Sequence, residues 1–128
     1  MPDMMLILAG NFMGTFIAAM LAKAANLGID STQMVHNKLD NSLIHVFLLS
    51  VFCGVMMYLA IDNYNKSKNI VFVIAAVMIF ILSGFEHSIA NMFYFEIANA
   101  YSLKSLLYIL VMAAGNGVGA KIFGLMPK

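Results

Sequence analysis

The chain has 128 residues, of which 62% are hydrophobic and 10% charged, and its formal net charge is +1. A soluble domain of this length carries roughly a quarter charged residues, so the composition indicates an integral membrane protein. The basic residues are all lysines and form no stripe, which argues against a nucleic-acid partner. The single cysteine, Cys53, excludes a disulfide framework and a zinc site built on cysteine pairs.

The first half of the chain contains two hydrophobic blocks. Met4–Ala22 is uncharged and close to the roughly 20 residues that cross a bilayer. The polar connection Lys23–Asn41 follows and is long enough to hold some helix. Ser42–Ile61 is a second full span, and Asp62–Asn69 is predicted to be a short polar loop.

The third block is too short to span and is predicted to be half of a broken helix. Ile70–Leu82 carries no charge, but at about 1.5 Å per residue it does not cross about 30 Å of hydrocarbon. This half is predicted to stop at Ser83-Gly84, and a second half is predicted from about Ile89 to about Ala100. The fourth block, Leu103 to about Met126, is again a full span.

The segment between the two half-helices carries an acid and a histidine. Glu86 and His87 are adjacent, with glycine and serine around them and apolar residues on both sides. A charged group at membrane depth costs about 3 kcal/mol, so it rarely persists without a partner or a task. The pattern therefore predicts a helix that breaks within the membrane and presents polar groups to a cavity.

A short motif occurs twice, in the first and fourth blocks. Ala9–Gly14 and Ala114–Gly119 both read Ala-Gly-Asn-x-x-Gly. Small residues at this spacing let helix backbones approach closely. The asparagines, Asn11 and Asn116, must form hydrogen bonds inside a span, for example with the carbonyls of a broken neighbour. Short motifs shared by two spans are also typical of duplicated transporter folds.

The run Gly84–Phe93, which reads Gly-Phe-Glu-His-Ser-Ile-Ala-Asn-Met-Phe, resembles the signature of the formate/nitrite transporter family, which includes hydrosulfide channels. Asn116–Ala120 and Lys38–Ala60 also fit the family, so the resemblance runs from about Leu8 onward. It implies an all-α integral membrane fold. The blocks would be the third to sixth segments of a six-helix, inverted-repeat (aquaporin-like) channel, with one broken helix at Ser83–Asn91.

The resemblance also implies an organisation and a partner set. Residues 1–128 would be a single membrane domain that lacks the first two segments of the family. We expect a multi-pass protein of the cell's inner (plasma) membrane that assembles as a homopentamer. Its partners would be a small monovalent anion or weak acid and the lipid bilayer, with no nucleic acid, cofactor or metal.

A substrate-binding set follows from the same resemblance. The histidine that matches His87 lies midway along the family's pore, and Phe80 matches one of its constrictions. Histidine titrates near neutral pH, so it suits the conversion of an anion into its neutral acid. Lys38 would attract anions, with Glu86 as its acidic partner. Three asparagines would hold the broken helices in place: Asn91, Asn11 and Asn116.

These expectations describe a non-enzymatic, passive or proton-coupled channel or transporter for formate, nitrite or hydrosulfide. Two other functions stay open. One is a truncated, non-conducting fragment or accessory membrane subunit that packs against a fuller partner. The other is a membrane enzyme with His87 and Glu86 as acid and base, although no nucleophile, metal site or cofactor motif accompanies them. Two departures from the family pattern concern the substrate: Glu96 stands at a common proline position and Gly54 at a common asparagine position.

Overall fold

The computed structural model describes residues 2–125. Within that range the regular elements are six helices, α1 (Pro2–Ala24), α2 (Thr32–Asp40), α3 (Leu43–Ser67), α4 (Val71–Leu82), α5 (Ser88–Ile97) and α6 (Leu103–Gly124). Of these, α1, α3 and α6 are long and apolar enough to cross a membrane, as judged by length and composition. The all-helical fold with apolar helices of membrane-spanning length is confirmed for the described residues. The predicted end of the fourth block, Met126, lies outside the described residues.

The predicted loop after the second block is wrong in part, because α3 continues through most of it to Ser67. Lys66 Nζ lies 2.6 Å from the carboxylate of Asp62 one turn earlier, and ion pairs at this spacing stabilise a helix. The helix ends at Lys68, which has a left-handed φ of 56°.

The predicted break between two shorter helices is confirmed, whereas their joint crossing of the membrane stays a prediction. Helix α4 ends at Leu82 and α5 begins at Ser88, so the break is shorter than the Ser83–Asn91 motif, and Asn91 is helical. We call residues 83–87 the break segment. Helix α5 ends at Ile97, three residues before the predicted end near Ala100.

The chain forms two compact units. The first contains α1, α2 and Ile89–Ile109, and the second contains Ser42–Ser88 and the chain from Leu110 onward. In the first unit, Ala19 and Ala22 pack with Ile97 in a small apolar core. The grouping of all residues into a single membrane domain stays a prediction.

Glycines bring α3 and α6 into backbone contact within the second unit. A Cβ atom on Gly119 would lie 2.0 Å from the carbonyl oxygen of Val51, and one on Gly54 would lie 2.1 Å from that of Asn116. A Cβ on Gly115 would also meet α3, at 2.8 Å from a backbone oxygen. Only glycine allows this approach, so the close packing predicted for the second copy of the repeated motif is confirmed.

The first copy of the motif has different surroundings. A Cβ atom on Gly10 or Gly14 would have no heavy atom within 4 Å among the described residues. The two copies therefore share a sequence pattern, but among the described residues the glycines of the copy in α6 lie against another helix, whereas Gly10 and Gly14 do not.

Candidate functional site

The break segment begins with a capped helix end. Gly84 has a left-handed φ of 68°, a conformation that glycine adopts without steric cost. Its N–H donates to the carbonyl of Ile81 at 3.2 Å, and the N–H of Phe85 donates to the carbonyl of Phe80 at 3.0 Å. This pair of bonds is the Schellman arrangement, which satisfies the last carbonyls of a helix. Helix α4 therefore ends here for a local reason.

The other end of the break segment is held by one side chain of α6. Asn116 Nδ2 donates to the carbonyl of Glu86 at 2.8 Å and to that of Ser50 in α3 at 2.9 Å. Its Oδ1 accepts the N–H of Ser88 at 2.9 Å. The side chain thus caps the first turn of α5 and joins the break segment to α3 and α6. The expectation that this asparagine bonds to a broken neighbour is confirmed.

His87 lies in the chain between Glu86 and Ser88, two of the three residues whose backbone groups Asn116 binds. Its half-buried imidazole stacks on the ring of Phe80, with centroids 5.8 Å apart and planes inclined by 29°. Aromatic pairs at this separation are attractive. The ring is therefore positioned by the backbone on both sides and by a phenylalanine from the end of α4.

A second aromatic pair was not predicted from the sequence. Phe52 of α3 stacks on Phe85 with centroids 5.6 Å apart and planes inclined by 22°. The N–H of Glu86 is also directed at the carbonyl of Leu49 in α3, at 3.4 Å. The sequence could have indicated Phe85, because it stands directly before Glu86 in the motif. Nothing in the sequence pointed to Phe52.

The structure brings together four of the seven predicted site residues in the second unit: Phe80, Glu86, His87 and Asn116. Glu86 is almost fully buried, with 3% of its surface exposed. The other three predicted residues, Lys38 on α2, Asn91 on α5 and Asn11 on α1, belong to the first unit. Their roles, including the pairing of Lys38 with Glu86, stay predictions.

Glu96 belongs to a separate polar cluster in the first unit. Its side chain is 2% exposed, and the Tyr101 hydroxyl donates to its Oε2 at 2.5 Å. Lys23 Nζ donates to the Glu96 carbonyl at 2.7 Å and to Asn99 Oδ1 at 2.8 Å. Asn99 has a left-handed φ of 52°, so α5 ends at Ile97 without a proline.

The chemistry available at the break is proton exchange and hydrogen bonding. A histidine side chain takes up or releases a proton near neutral pH. The amide of Asn116 does not titrate, and its hydrogen bonds position the break segment. Among the residues that the structure describes, no three His, Cys, Asp or Glu side chains are grouped so that they would hold a metal ion.

Comparison with known proteins adds two findings. The family described as Formate/nitrite transporter matches residues 3–128. The formate channel FocA of Haemophilus influenzae is 31% identical over 96 residues, which cover 66% of this chain and 34% of that protein. The chain thus spans about a third of the length of this curated relative. No solved structure matches the chain significantly.

Proposed function

Because this chain belongs to the formate/nitrite transporter family, we propose that it forms part of a channel or transporter for small monovalent anions or their weak acids. Formate, nitrite and hydrosulfide are the candidate substrates, and formate is the one named for the FocA relative. The protein would work in the cell's inner membrane as a multi-pass homopentamer. The pore would contain His87 and Phe80.

The observation that carries this proposal is the clamp of Asn116 on the break segment. Its bonds to the Glu86 carbonyl and the Ser88 N–H flank His87 on both sides. A titratable ring held by the backbone within an apolar region is what proton exchange with a passing solute requires.

The physical advantage of a histidine here is a lower desolvation cost for the solute. An anion that enters an apolar constriction beside Phe80 loses its water, which is far more costly than the transfer of a neutral molecule. Protonated His87 can give its proton to the anion and so form the neutral acid. The neutral histidine then takes up a proton again from solvent. Flux should therefore rise as the pH falls.

The test is uptake of formate, nitrite and hydrosulfide into proteoliposomes across an imposed pH gradient. We expect acid-stimulated flux from the unaltered chain and loss of the pH dependence in His87→Asn, because asparagine forms hydrogen bonds but does not exchange protons in this range. His45→Asn is the matched control, since His45 is an exposed histidine near the start of α3. Equal pH dependence in the chain and in His87→Asn would reject the proton-donor role.

A second candidate function is an accessory membrane subunit that conducts only with a fuller partner. The observation that favours it is the open surface at Gly10 and Gly14, where the same motif as in α6 meets no other helix of the described chain. Correctly inserted protein would show no flux alone. If it raises the flux of a co-reconstituted full-length relative above the flux of that relative alone, this function is supported over the first.

A further inference from the structure

A half-open cavity of about 200 Å³ lies in the first unit. Its walls are formed by Ala22 and Lys23 of α1, by residues 26–29 of the following connection, and by Ile97 at the end of α5. None of these residues belongs to the predicted substrate-binding set. Lys23 carries the only charge among these lining residues.

Lys23 is an exposed residue, and two hydrogen bonds orient its ammonium group. Its Nζ donates to the Glu96 carbonyl at 2.7 Å and to Asn99 Oδ1 at 2.8 Å. Both acceptors are uncharged, so they orient the cation without neutralising it. An ammonium has three donors, and two acceptors leave the third for a ligand in the cavity. A cation fixed before binding loses little side-chain entropy when an anion arrives.

The carboxylates near the cavity are engaged elsewhere. Glu96 Oε2 accepts the hydroxyl of Tyr101, and Asp30 Oδ1 accepts the N–H of Thr32 at 2.9 Å. Neither acid lines the cavity. The charge that a ligand meets at the wall is therefore the positive charge of Lys23.

The remaining walls decide the kind of anion. Ala22, Leu27, Ile29 and Ile97 present apolar side chains, and a cavity of about 150 Å³ already accommodates a molecule the size of benzene. A space of this size exceeds what formate fills and leaves room for a short hydrocarbon tail. We propose that this cavity binds a short-chain monocarboxylate of about two to five carbons, with its carboxylate on Lys23 and its tail against the apolar wall.

This inference does not rest on the proposed function, because it concerns equilibrium binding in a cavity that excludes His87. The probe is sodium butyrate, added to the purified full chain in detergent and followed by calorimetry and ligand-observed NMR. Butyramide is the neutral isostere. We expect butyrate to bind and butyramide to bind at least tenfold more weakly.

Three variants separate the charge of Lys23 from its tether. Lys23→Gln should weaken butyrate binding at least tenfold, whereas Lys104→Gln, an equal change of net charge on α6, should leave it unchanged. Asn99→Ala removes one acceptor of the tether but keeps the ammonium, so it should retain binding within about threefold.

Two results would overturn the proposal. Equal binding of butyrate and butyramide would show that the cavity does not select the carboxylate. Equal losses in Lys23→Gln and Asn99→Ala would show that Lys23 only ties α1 to α5. If Lys23→Gln does not fold, chemical-shift changes of the Ile29 and Ile97 methyl groups on addition of butyrate to the unaltered chain decide the question, because these side chains line the cavity; no change at either would overturn the proposal.

Discussion

Replacement of Asn116 by leucine is the most direct test of how the break segment is held. The substitution introduces an apolar side chain of similar size in α6 and removes three hydrogen bonds, to the carbonyls of Ser50 and Glu86 and from the N–H of Ser88. The Glu86 carbonyl and the Ser88 N–H lie at the break, so they take no part in the repeating hydrogen bonds of an α-helix. We expect the break segment to open locally while α4 and α6 remain helical.

The magnitude follows from those three bonds. Each hydrogen bond contributes about 0.5–1.5 kcal/mol net, and a buried group left without its bond costs about 1–3 kcal/mol. Bonds between membrane helices average about 0.6 kcal/mol, so the lower part of this range applies. We therefore expect Asn116→Leu to lower the free energy of opening by about 2–4 kcal/mol. At about 1.4 kcal/mol per factor of ten, the open state becomes roughly 30- to 700-fold more populated.

Amide hydrogen exchange measures this opening directly. The Ser88 N–H is the reporter, because its exchange requires the bond to Asn116 Oδ1 to break. Protection at Ser88 should fall by the factor given above, while amides in the middle of α3 keep theirs. Asn11→Leu is the matched control, since it makes the same change in the other copy of the Ala-Gly-Asn-x-x-Gly motif.

Two outcomes would refute the reasoning. If Ser88 exchanges equally slowly in the unaltered chain and in Asn116→Leu, the side chain does not hold the break. If Asn11→Leu exposes Ser88 to the same extent, the effect comes from general destabilisation of the membrane helices and not from the clamp.

Further predictions concern helix packing and alkaline pH. Gly119→Ala should destabilise the chain by about 1–3 kcal/mol in denaturant titrations, because its Cβ would meet the Val51 carbonyl at 2.0 Å. In the control Gly117→Ala the new Cβ has nothing within 4 Å, so this variant should gain up to about 1 kcal/mol of stability from helix propensity. Equal effects of the two substitutions would contradict the close contact of α3 with α6. The bond to Glu96 raises the pKa of Tyr101 above its usual value of 10.0, so the stability it provides is complete below pH 10.0 and is lost as the pH rises through the raised pKa. The difference in melting temperature between the chain and Tyr101→Phe should therefore shrink from pH 8 to pH 11, and a constant difference would count against the bond.

The sequence predicts those parts of the structure that are dictated by the cost of unsatisfied polar groups in a membrane. The break was predictable because Ser83-Gly84 and the adjacent Glu86 and His87 are incompatible with a continuous lipid-facing helix. The bonds of Asn116 followed from the same principle, since a buried amide must find partners. The sequence indicated the kind of partner, a broken neighbour, and the structure identifies the atoms.

Other features depend on choices that local sequence leaves open. Polar side chains such as Asp62 and Lys66 suit either a loop or the exposed end of a helix, and their i,i+4 ion pair favours the helix. The stacking of Phe52 on Phe85 joins residues far apart in the chain, so no periodicity predicts it. Nor does the motif itself show which copy packs, since Gly10 and Gly119 stand in the same pattern with opposite surroundings.

The clamp on the break segment also has a consequence for biosynthesis. Asn116 follows Ser88 by 28 residues and Glu86 by 30, so the ribosome releases the break before the residue that satisfies it. A backbone group unsatisfied in hydrocarbon costs several kcal/mol. The nascent α4 and α5 therefore gain their final depth in the bilayer only after α6 has left the translocon. Translation that stops before Asn116 should leave an intermediate that membrane quality-control proteases degrade.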